Sequence, residues 1–251
     1  PQVGLLFGGN GAQWVGMGRQ LLDEDSVFAD AVQRVDALVQ ARAGWSVVAE
    51  MRADASATRM GDTRIDQPLI FAVQVGLYHS LLAQGLQPAA MAGHSVGEVA
   101  AAHCAGVLDL EQAVHVIVAR SDAQAETRGQ GRMAACEIDA ERARTEIARY
   151  DGAVELACVN GPKSVTLCGD PEALIEIGEK VKAEGTPFRL LDLDYAFHNK
   201  VLDPVQDRVL SELDGVTGTP ATTRFFSSVT GDELSGEQVD ADYWWRNMRH
   251  P

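Results

Sequence analysis

Gly93-His94-Ser95-Val96-Gly97-Glu98 is the stretch on which the reading of this 251-residue chain turns. The apolar run Pro88-Ala89-Ala90-Met91-Ala92 precedes it, and Val99-Ala100-Ala101-Ala102-His103-Cys104-Ala105, mostly small residues of good helix propensity, follows. Strand, sharp turn and helix is the context in which Gly-x-Ser-x-Gly becomes a nucleophile elbow. The two glycines permit close backbone approach around a strained serine. The helix N-terminus offers N–H groups and a positive dipole end to a developing oxyanion. A bare Gly-x-Ser-x-Gly is more often a glycine-flanked turn, but the strand before and the helix after single out Ser95 as the nucleophile.

Composition narrows what surrounds this turn. A chain of this length with 46% hydrophobic residues can bury a full core, as one large domain or two unequal ones. A formal net charge of -15 argues against nucleic acid or an anionic membrane as partner. No apolar run is long enough to span a bilayer, and the N-terminus lacks the pattern of a signal peptide. Cys104, Cys136, Cys158 and Cys168 form no Cys-x-x-Cys pair and fall within expected helices or strands. They read as reduced core residues of a cytoplasmic protein. The 6 histidines show no metal-ligand spacing, so no metal is expected.

Upstream, Val3-Gly4-Leu5-Leu6-Phe7 reads as a short buried strand, Gly8-Gly9-Asn10-Gly11 as a flexible loop and Ala12 to Leu22 as a helix. The loop fits neither the dinucleotide fingerprint nor the Walker pattern, which excludes nucleotide binding. It is a tight turn, or a device that brings backbone N–H groups to a reacting oxygen. From Asp25 to Met51, Phe28, Val32, Val35, Leu38 and Val39 recur at helical spacing, a core-facing stripe. A polar entry, Asp62-Thr63-Arg64-Ile65-Asp66-Gln67-Pro68, leads into an apolar helix from Leu69 to Leu82. Gln67 there is a cap-region side chain or part of a site. A further helix, Leu110 to Thr127, runs through Val114, Ile117, Val118 and Ala119 into Arg120. The residues alone favour a solvated arginine, with a carboxylate-clamping fork as the alternative.

Gly129-Gln130-Gly131 marks a change of texture. Beyond it come strand (Met133 to Ile138), helix (Asp139 to Tyr150), strand (Val154 to Val159), strand (Ser164 to Cys168), helix (Pro171 to Gly185) and strand (Phe188 to Leu193). This βαββαβ order is the split ferredoxin-like arrangement. The fold class is therefore α/β, an α/β-hydrolase-like large subdomain (1–130 and 195–251) with an inserted ferredoxin-like small subdomain (131–194). Asp194-Tyr195-Ala196-Phe197-His198-Asn199-Lys200 follows, then a helix from about Val201 to Leu213. A lone histidine is more often structural, but His198 comes after the elbow serine, the chain order in which a base follows its nucleophile. Arg224 to Ser228 reads as one more strand, and Tyr243-Trp244-Trp245-Arg246-Asn247 as aromatics that pack against the body.

Taken together, Gly9-Asn10-Gly11-Ala12-Gln13-Trp14, Gly93 to Glu98, Arg120-Ser121 and Tyr195-Ala196-Phe197-His198 line up in order with one family. Asn160-Gly161-Pro162 and Tyr243 to Asn247 agree. The chain resembles the acyltransferase domain of type I polyketide synthases, related to malonyl-CoA:acyl carrier protein transacylases, over essentially its whole length. The resemblance implies a Ser95–His198 dyad, with Ser95 attacking the thioester of malonyl-CoA and His198 taking its proton. It implies an oxyanion hole from the backbone N–H groups of Asn10 and Val96. Arg120 matches the arginine that pairs with the free carboxylate of the extender unit, which reverses the residue-level preference. Gln67 matches a glutamine near that arginine, and His94 lines the pocket. The acyl group passes on to the phosphopantetheine thiol of an acyl carrier protein, and no cofactor is bound.

Three departures qualify this expectation. Asn10 stands where the family usually has glutamine. Tyr195-Ala196-Phe197-His198 mixes the His-Ala-Phe-His of malonyl-specific members with the Tyr-Ala-Ser-His of methylmalonyl-specific ones. Phe197 fills the space an α-methyl group would need and favours malonyl, a preference of typically about 1–3 kcal/mol. The chain ends at Arg249-His250-Pro251, before the family segment that supplies a carbonyl to orient the histidine. A serine hydrolase and an inactive scaffold are the competing readings. Both coenzyme A and carrier proteins are acidic, so a local basic patch is needed, for which Arg189, Lys163 and Lys200 are candidates.

Overall fold

The computed structural model describes residues 2–250, in two compact units. The first comprises the chain up to Asp122 together with Val209–Trp244; the second comprises Ala123–Arg208 and the chain from Trp245 onward. In the first unit β1 (Val3–Phe7) leads through α1 (Arg19–Glu24), α2 (Ser26–Ala43), α3 (Val47–Arg52) and α4 (Thr63–Ala83) to β2 (Pro88–Gly93). Then come α5 (Gly97–Cys104) and α6 (Leu110–Ala125). β1 and β2 pair in parallel, which obliges a long crossover, and the four helices supply it. The expected stripe on α2 is buried at Phe28, Val32, Val35 and Val39, with Leu38 half-buried at its edge. It packs on α4, where Leu69, Phe71, Ala72 and Val75 are buried. Gly76 permits this contact, because a Cβ there would come within 2.6 Å of the Phe28 ring.

Two helix starts differ from the sequence reading. The segment from Ala12 is a series of turns, and α1 begins only at Arg19. Gly16 (φ 85°) and Gly18 (φ 76°) sit in the left-handed region, which ends any helical run there. The polar entry before Pro68, by contrast, is already helix. Asp62 caps it by accepting from Arg64 N at 3.0 Å, and Ile65, Asp66, Gln67 and Pro68 are buried along its first turns.

The second unit contains β3 (Arg132–Cys136), α7 (Ala140–Ile147), β4 (Val154–Gly161), β5 (Ser164–Gly169), α8 (Pro171–Ala183) and β6 (Phe188–Leu190). Its sheet has the order β4-β5-β3-β6, antiparallel at every pairing, which is the ferredoxin-like arrangement. Asp170 accepts from Ala173 N at 2.9 Å with Pro171 in the first turn, the expected cap of α8. Alternation along the strands divides the apolar residues between two faces. Ala134, Val154, Val165 and Leu167 lie under α7 and α8 with Ala143, Leu174, Ile177 and Val181. Met133, Ala157 and Cys168 lie with Tyr195, Ala196 and Phe197 in a separate cluster.

A 3-10 turn, Lys200–Val205, then precedes α9 (Gln206–Glu212), so the expected single helix is divided, with Pro204 inside the first part. β7 (Arg224–Phe226), β8 (Glu233–Leu234) and α10 (Ala241–Arg249) complete the chain. β7 pairs parallel to β2 and antiparallel to β8, giving the order β1-β2-β7-β8. The aromatic run near the end is therefore a helix. Asp240 accepts from Tyr243 N at 2.9 Å at its start, and Tyr243, Trp244 and Trp245 are buried.

Leu167 is fully buried at the centre of the small sheet's core. Leu167→Ala should lower unfolding stability by about 2–5 kcal/mol, measurable in urea, through lost burial and a residual cavity.

Candidate active site

The site begins with the register of two strands. Phe7 and Gly93, the last residues of β1 and β2, are partners, so the loops that leave them emerge side by side. His94 N continues the pairing by donating to Phe7 O at 2.9 Å. Three glycines then permit contacts no side chain would allow. A Cβ on Gly97 would lie 2.3 Å from Phe7 O and 2.5 Å from Gly8 O; one on Gly93 would lie 2.3 Å from the Glu98 backbone. A Cβ on Gly9 would lie 2.7 Å from His94 Nδ1. The first turn of α5 is thus seated directly on the end of β1, with the Gly8-Gly9-Asn10 loop beside His94.

Ser95, between the two elbow glycines, has φ 51°, a left-handed conformation that costs a non-glycine residue about 1–3 kcal/mol. This strain is the physical mark of a nucleophile elbow. Val96 is the N-cap of α5, so its N–H stands at the positive end of that helix. His94 is exposed, Ser95 half-exposed and Asn10 half-buried.

Arg120 and Gln67 join Ser95. Arg120 Nη2 donates to Ser95 Oγ at 3.1 Å, and Nη1 donates to Gln67 Oε1 at 2.7 Å. Gln67 Nε2 in turn donates to Thr63 Oγ1 at 2.7 Å, which fixes the amide with its oxygen toward the guanidinium. The residue-level preference for a solvated Arg120 fails, since only 1% of it is exposed. Burial pushes its guanidinium down to about 9, opposed by the Glu98 carboxylate, so it stays charged at neutral pH. Gln67 has likewise moved from the helix cap to the interior of α4, fully buried.

Glu98, quoted above only as part of the elbow sequence, holds a buried network. Its carboxylate accepts from Ser228 N at 3.1 Å and from the hydroxyls of Ser228 and Tyr243. The Tyr243 hydroxyl lies 2.7 Å from Ser227 Oγ. A charged residue in the first turn of an otherwise apolar helix was the available signal, but its partners lie some 130 residues away in sequence.

His198, Tyr195 and Phe197 belong to the second unit. His198 is buried at φ 57°, and its Nδ1 lies 2.8 Å from His250 O. That acceptor sets the tautomer with Nδ1–H, leaving Nε2 as the basic nitrogen. The expectation that the orienting carbonyl lies beyond this chain is thereby corrected: His250 supplies it. Arg249, bonded to Asp203 at 2.6 Å and Glu155 at 2.9 Å, anchors the segment that carries it. Tyr195 and Phe197 stack at 5.1 Å between centroids and 11° between planes, both buried. Arg189, Lys163 and Lys200 are exposed.

A mixed sheet with a strained serine at the strand–helix turn, in a chain that also carries a ferredoxin-like unit, is the two-subdomain architecture of an acyltransferase class of protein. Comparison with known proteins gives the family. The model of the acyl transferase domain matches residues 5–251, and the chain belongs to that family. It is 37% identical over 249 residues to a polyketide synthase of Streptomyces halstedii, covering 99% of this chain and 4% of that protein. It is also 37% identical over 247 residues to an erythronolide synthase of Saccharopolyspora erythraea, covering 98% of this chain and 7% of that one. Among solved structures, the acyltransferase domain from module 8 of the salinomycin polyketide synthase superposes with a TM-score of 0.96 at 36% identity. That match covers 99% of this chain and 59% of the other. The chain therefore spans a small part of the synthases it matches.

Gly97→Ala should destabilise the first unit by about 1–3 kcal/mol or more, because backbone oxygens cannot yield to the new methyl group. Gly161→Ala, with open space around it, is the control. Equal melting temperatures for the two variants would contradict the close approach of α5 to β1.

Proposed function

We propose that this chain is an extender-unit acyltransferase that loads malonyl groups from malonyl-CoA onto an acyl carrier protein through an acyl-Ser95 intermediate. The carrying observation is the buried guanidinium of Arg120, 3.1 Å from Ser95 Oγ and braced by Gln67. A malonyl group esterified at Ser95 carries its free carboxylate a few bonds from Oγ, within reach of that charge. A hydrolase for simple acyl esters has no use for a buried cation there.

In this reading His198 Nε2 takes the Ser95 hydroxyl proton as Oγ attacks the thioester carbonyl. The N–H groups of Asn10 and Val96 stabilise the oxyanion, an effect typically worth a few kcal/mol. The carbon–sulfur bond then breaks, and the coenzyme A thiolate takes the proton back from His198. The phosphopantetheine thiol repeats the attack on the ester, returns the proton to Ser95 through His198 and leaves as the malonyl thioester, a ping-pong exchange. Asn10 in place of glutamine is tolerated because only its backbone donates. His94 borders the loop that carries Asn10. The subdomain boundaries proposed from the sequence are 1–130 with 195–251, and 131–194; the compact units differ in placing residues 195–208 and the chain from Trp245 onward in the second unit.

The malonyl choice rests on Phe197 standing where methylmalonyl-specific members of the family have serine; its ring stacks on Tyr195. Tyr195 is the observation that favours methylmalonyl, through its likeness to Tyr-Ala-Ser-His. The acyl-CoA, the carrier protein and neighbouring domains of a multidomain synthase are the proposed partners, in the cytoplasm, with Arg189, Lys163 and Lys200 as candidate contacts.

Intact-protein mass spectrometry after exposure to equimolar malonyl-CoA and methylmalonyl-CoA tests this, with Ser95→Ala as control. A malonyl adduct that disappears in the control is expected. A methylmalonyl adduct overturns the substrate choice, release of coenzyme A without an adduct indicates a hydrolase, and neither indicates a scaffold. Arg120→Ala should slow malonyl loading at least about 30-fold, the equivalent of about 2 kcal/mol, while acetyl loading is kept or rises. Unchanged malonyl preference would refute the clamp.

A further inference from the structure

Asp66 is a buried acid that the mechanism above does not use. It lies one residue before Gln67 on α4 and is 4% exposed. Gly61 N donates to both its oxygens at 3.2 Å, and Gln13 Nε2 donates to Oδ2 at 3.3 Å. The other end of the same glutamine amide, Oε1, accepts from Gly11 N at 2.8 Å. Gly11 has φ 99° and follows Asn10 directly, so its N–H belongs to the peptide that closes the Asn10 turn.

We propose that Asp66 is a positioning residue that sets the oxyanion loop through Gln13, a hydrogen-bonded relay from α4 to the backbone beside Asn10. A glutamine amide has an acceptor at one end and donors at the other, so an acceptor held at its NH2 end dictates that its oxygen faces Gly11. Asp66 supplies that acceptor. Gly61 N and Gln13 Nε2 both donate to it, which suits the ionised carboxylate. Two consecutive residues of α4 thereby serve the two sides of the reacting group: Gln67 braces the guanidinium of Arg120, and Asp66 braces the loop that carries Asn10. The inference rests on the reading of Asn10 N–H as an oxyanion donor.

The charge on Asp66 is itself adjustable. Burial pushes its carboxyl up to about 6, against the bonds from Gly61 and Gln13, and the Asp62 and Glu50 carboxylates push the same way as burial. Those two neighbours have their own cations, Arg64 on Asp62 at 2.7 Å and Arg59 on Glu50 at 3.1 Å. Above about pH 6 the relay has its charged acceptor; below it the carboxyl takes up a proton and its hold on Gln13 weakens.

The test measures pre-steady-state Ser95 acylation in Asp66→Leu, Gln13→Met and the double variant, together with the Gly11 amide signal by 15N NMR from pH 5 to 8. Each single variant should slow acylation about 10-fold with KM within about twofold, because an oxyanion donor acts on the transition state. Members of one relay are not additive, so the double variant should be slowed about 10-fold rather than about 100-fold. Asp66→Asn, which keeps an acceptor but cannot titrate, should retain most of the rate and abolish a Gly11 shift centred near pH 6. Multiplying rate effects, a raised KM with unchanged kcat, or the same Gly11 titration in Asp66→Asn would each overturn the relay. Gln13 is half-exposed, so its variant tests the relay even where replacing the buried acid costs folding. A wild-type chain that forms no Ser95 adduct would refute the functional reading alone, since the Gly11 titration decides the relay independently.

Discussion

The parallel pairing of β1 and β2 runs to their last residues, Phe7 and Gly93, and much of the first unit depends on that register. It sets two loops side by side at one end of the sheet. The helix after the second strand can then press on the carbonyls of Phe7 and Gly8, provided Gly97 has no side chain. The chain must turn within a few residues, and Ser95 absorbs the turn with a positive φ. A β-carbon at Gly93 or Gly97 would push α5 away and relax the serine. The strain at Ser95 is thus sustained by backbone packing on both sides of it.

The second organising constraint is a buried positive charge. A guanidinium removed from water is tolerated only with well-placed hydrogen-bond partners and compensating charge. Gln67 and Ser95 supply bonds, and the Glu98 carboxylate favours the charged form. Glu98 is held in turn by Ser228 and Tyr243. The guanidinium beside Ser95 and the packing of this unit therefore share residues. The second unit applies the same economy to His198, whose Nδ1 meets the carbonyl of His250 while Arg249 ties down that segment.

Legibility followed range. The elbow could be read because strand, turn and helix signals are contiguous there, and the βαββαβ order because each element has its own alternation, cap or turn. Helix starts were less legible. The residues after Ala12 have helix-forming composition, yet Gly16 and Gly18 take up left-handed turns. Those before Pro68 look like a loop, yet Thr63, Ile65, Asp66 and Gln67 are buried and Asp62 caps them. Tertiary packing outweighs propensities of a few tenths of a kcal/mol per residue, about the size of those local preferences. The family resemblance picked out Arg120 where the residue alone pointed to solvent, because a lone arginine on a helix has no local signature of burial.

The sequence by itself determined the architecture and the candidate nucleophile, since period, glycine placement and chain order are local properties that survive without coordinates. Only the tertiary structure decided what each polar side chain does. The bonds from Arg120 to Ser95 and Gln67, the cage around Glu98, the carbonyl at His198 and the path from Asp66 to Gly11 join residues far apart in the chain. Burial makes the bonds of Arg120, Gln67 and Glu98 obligatory, and burial is a property of the folded chain as a whole.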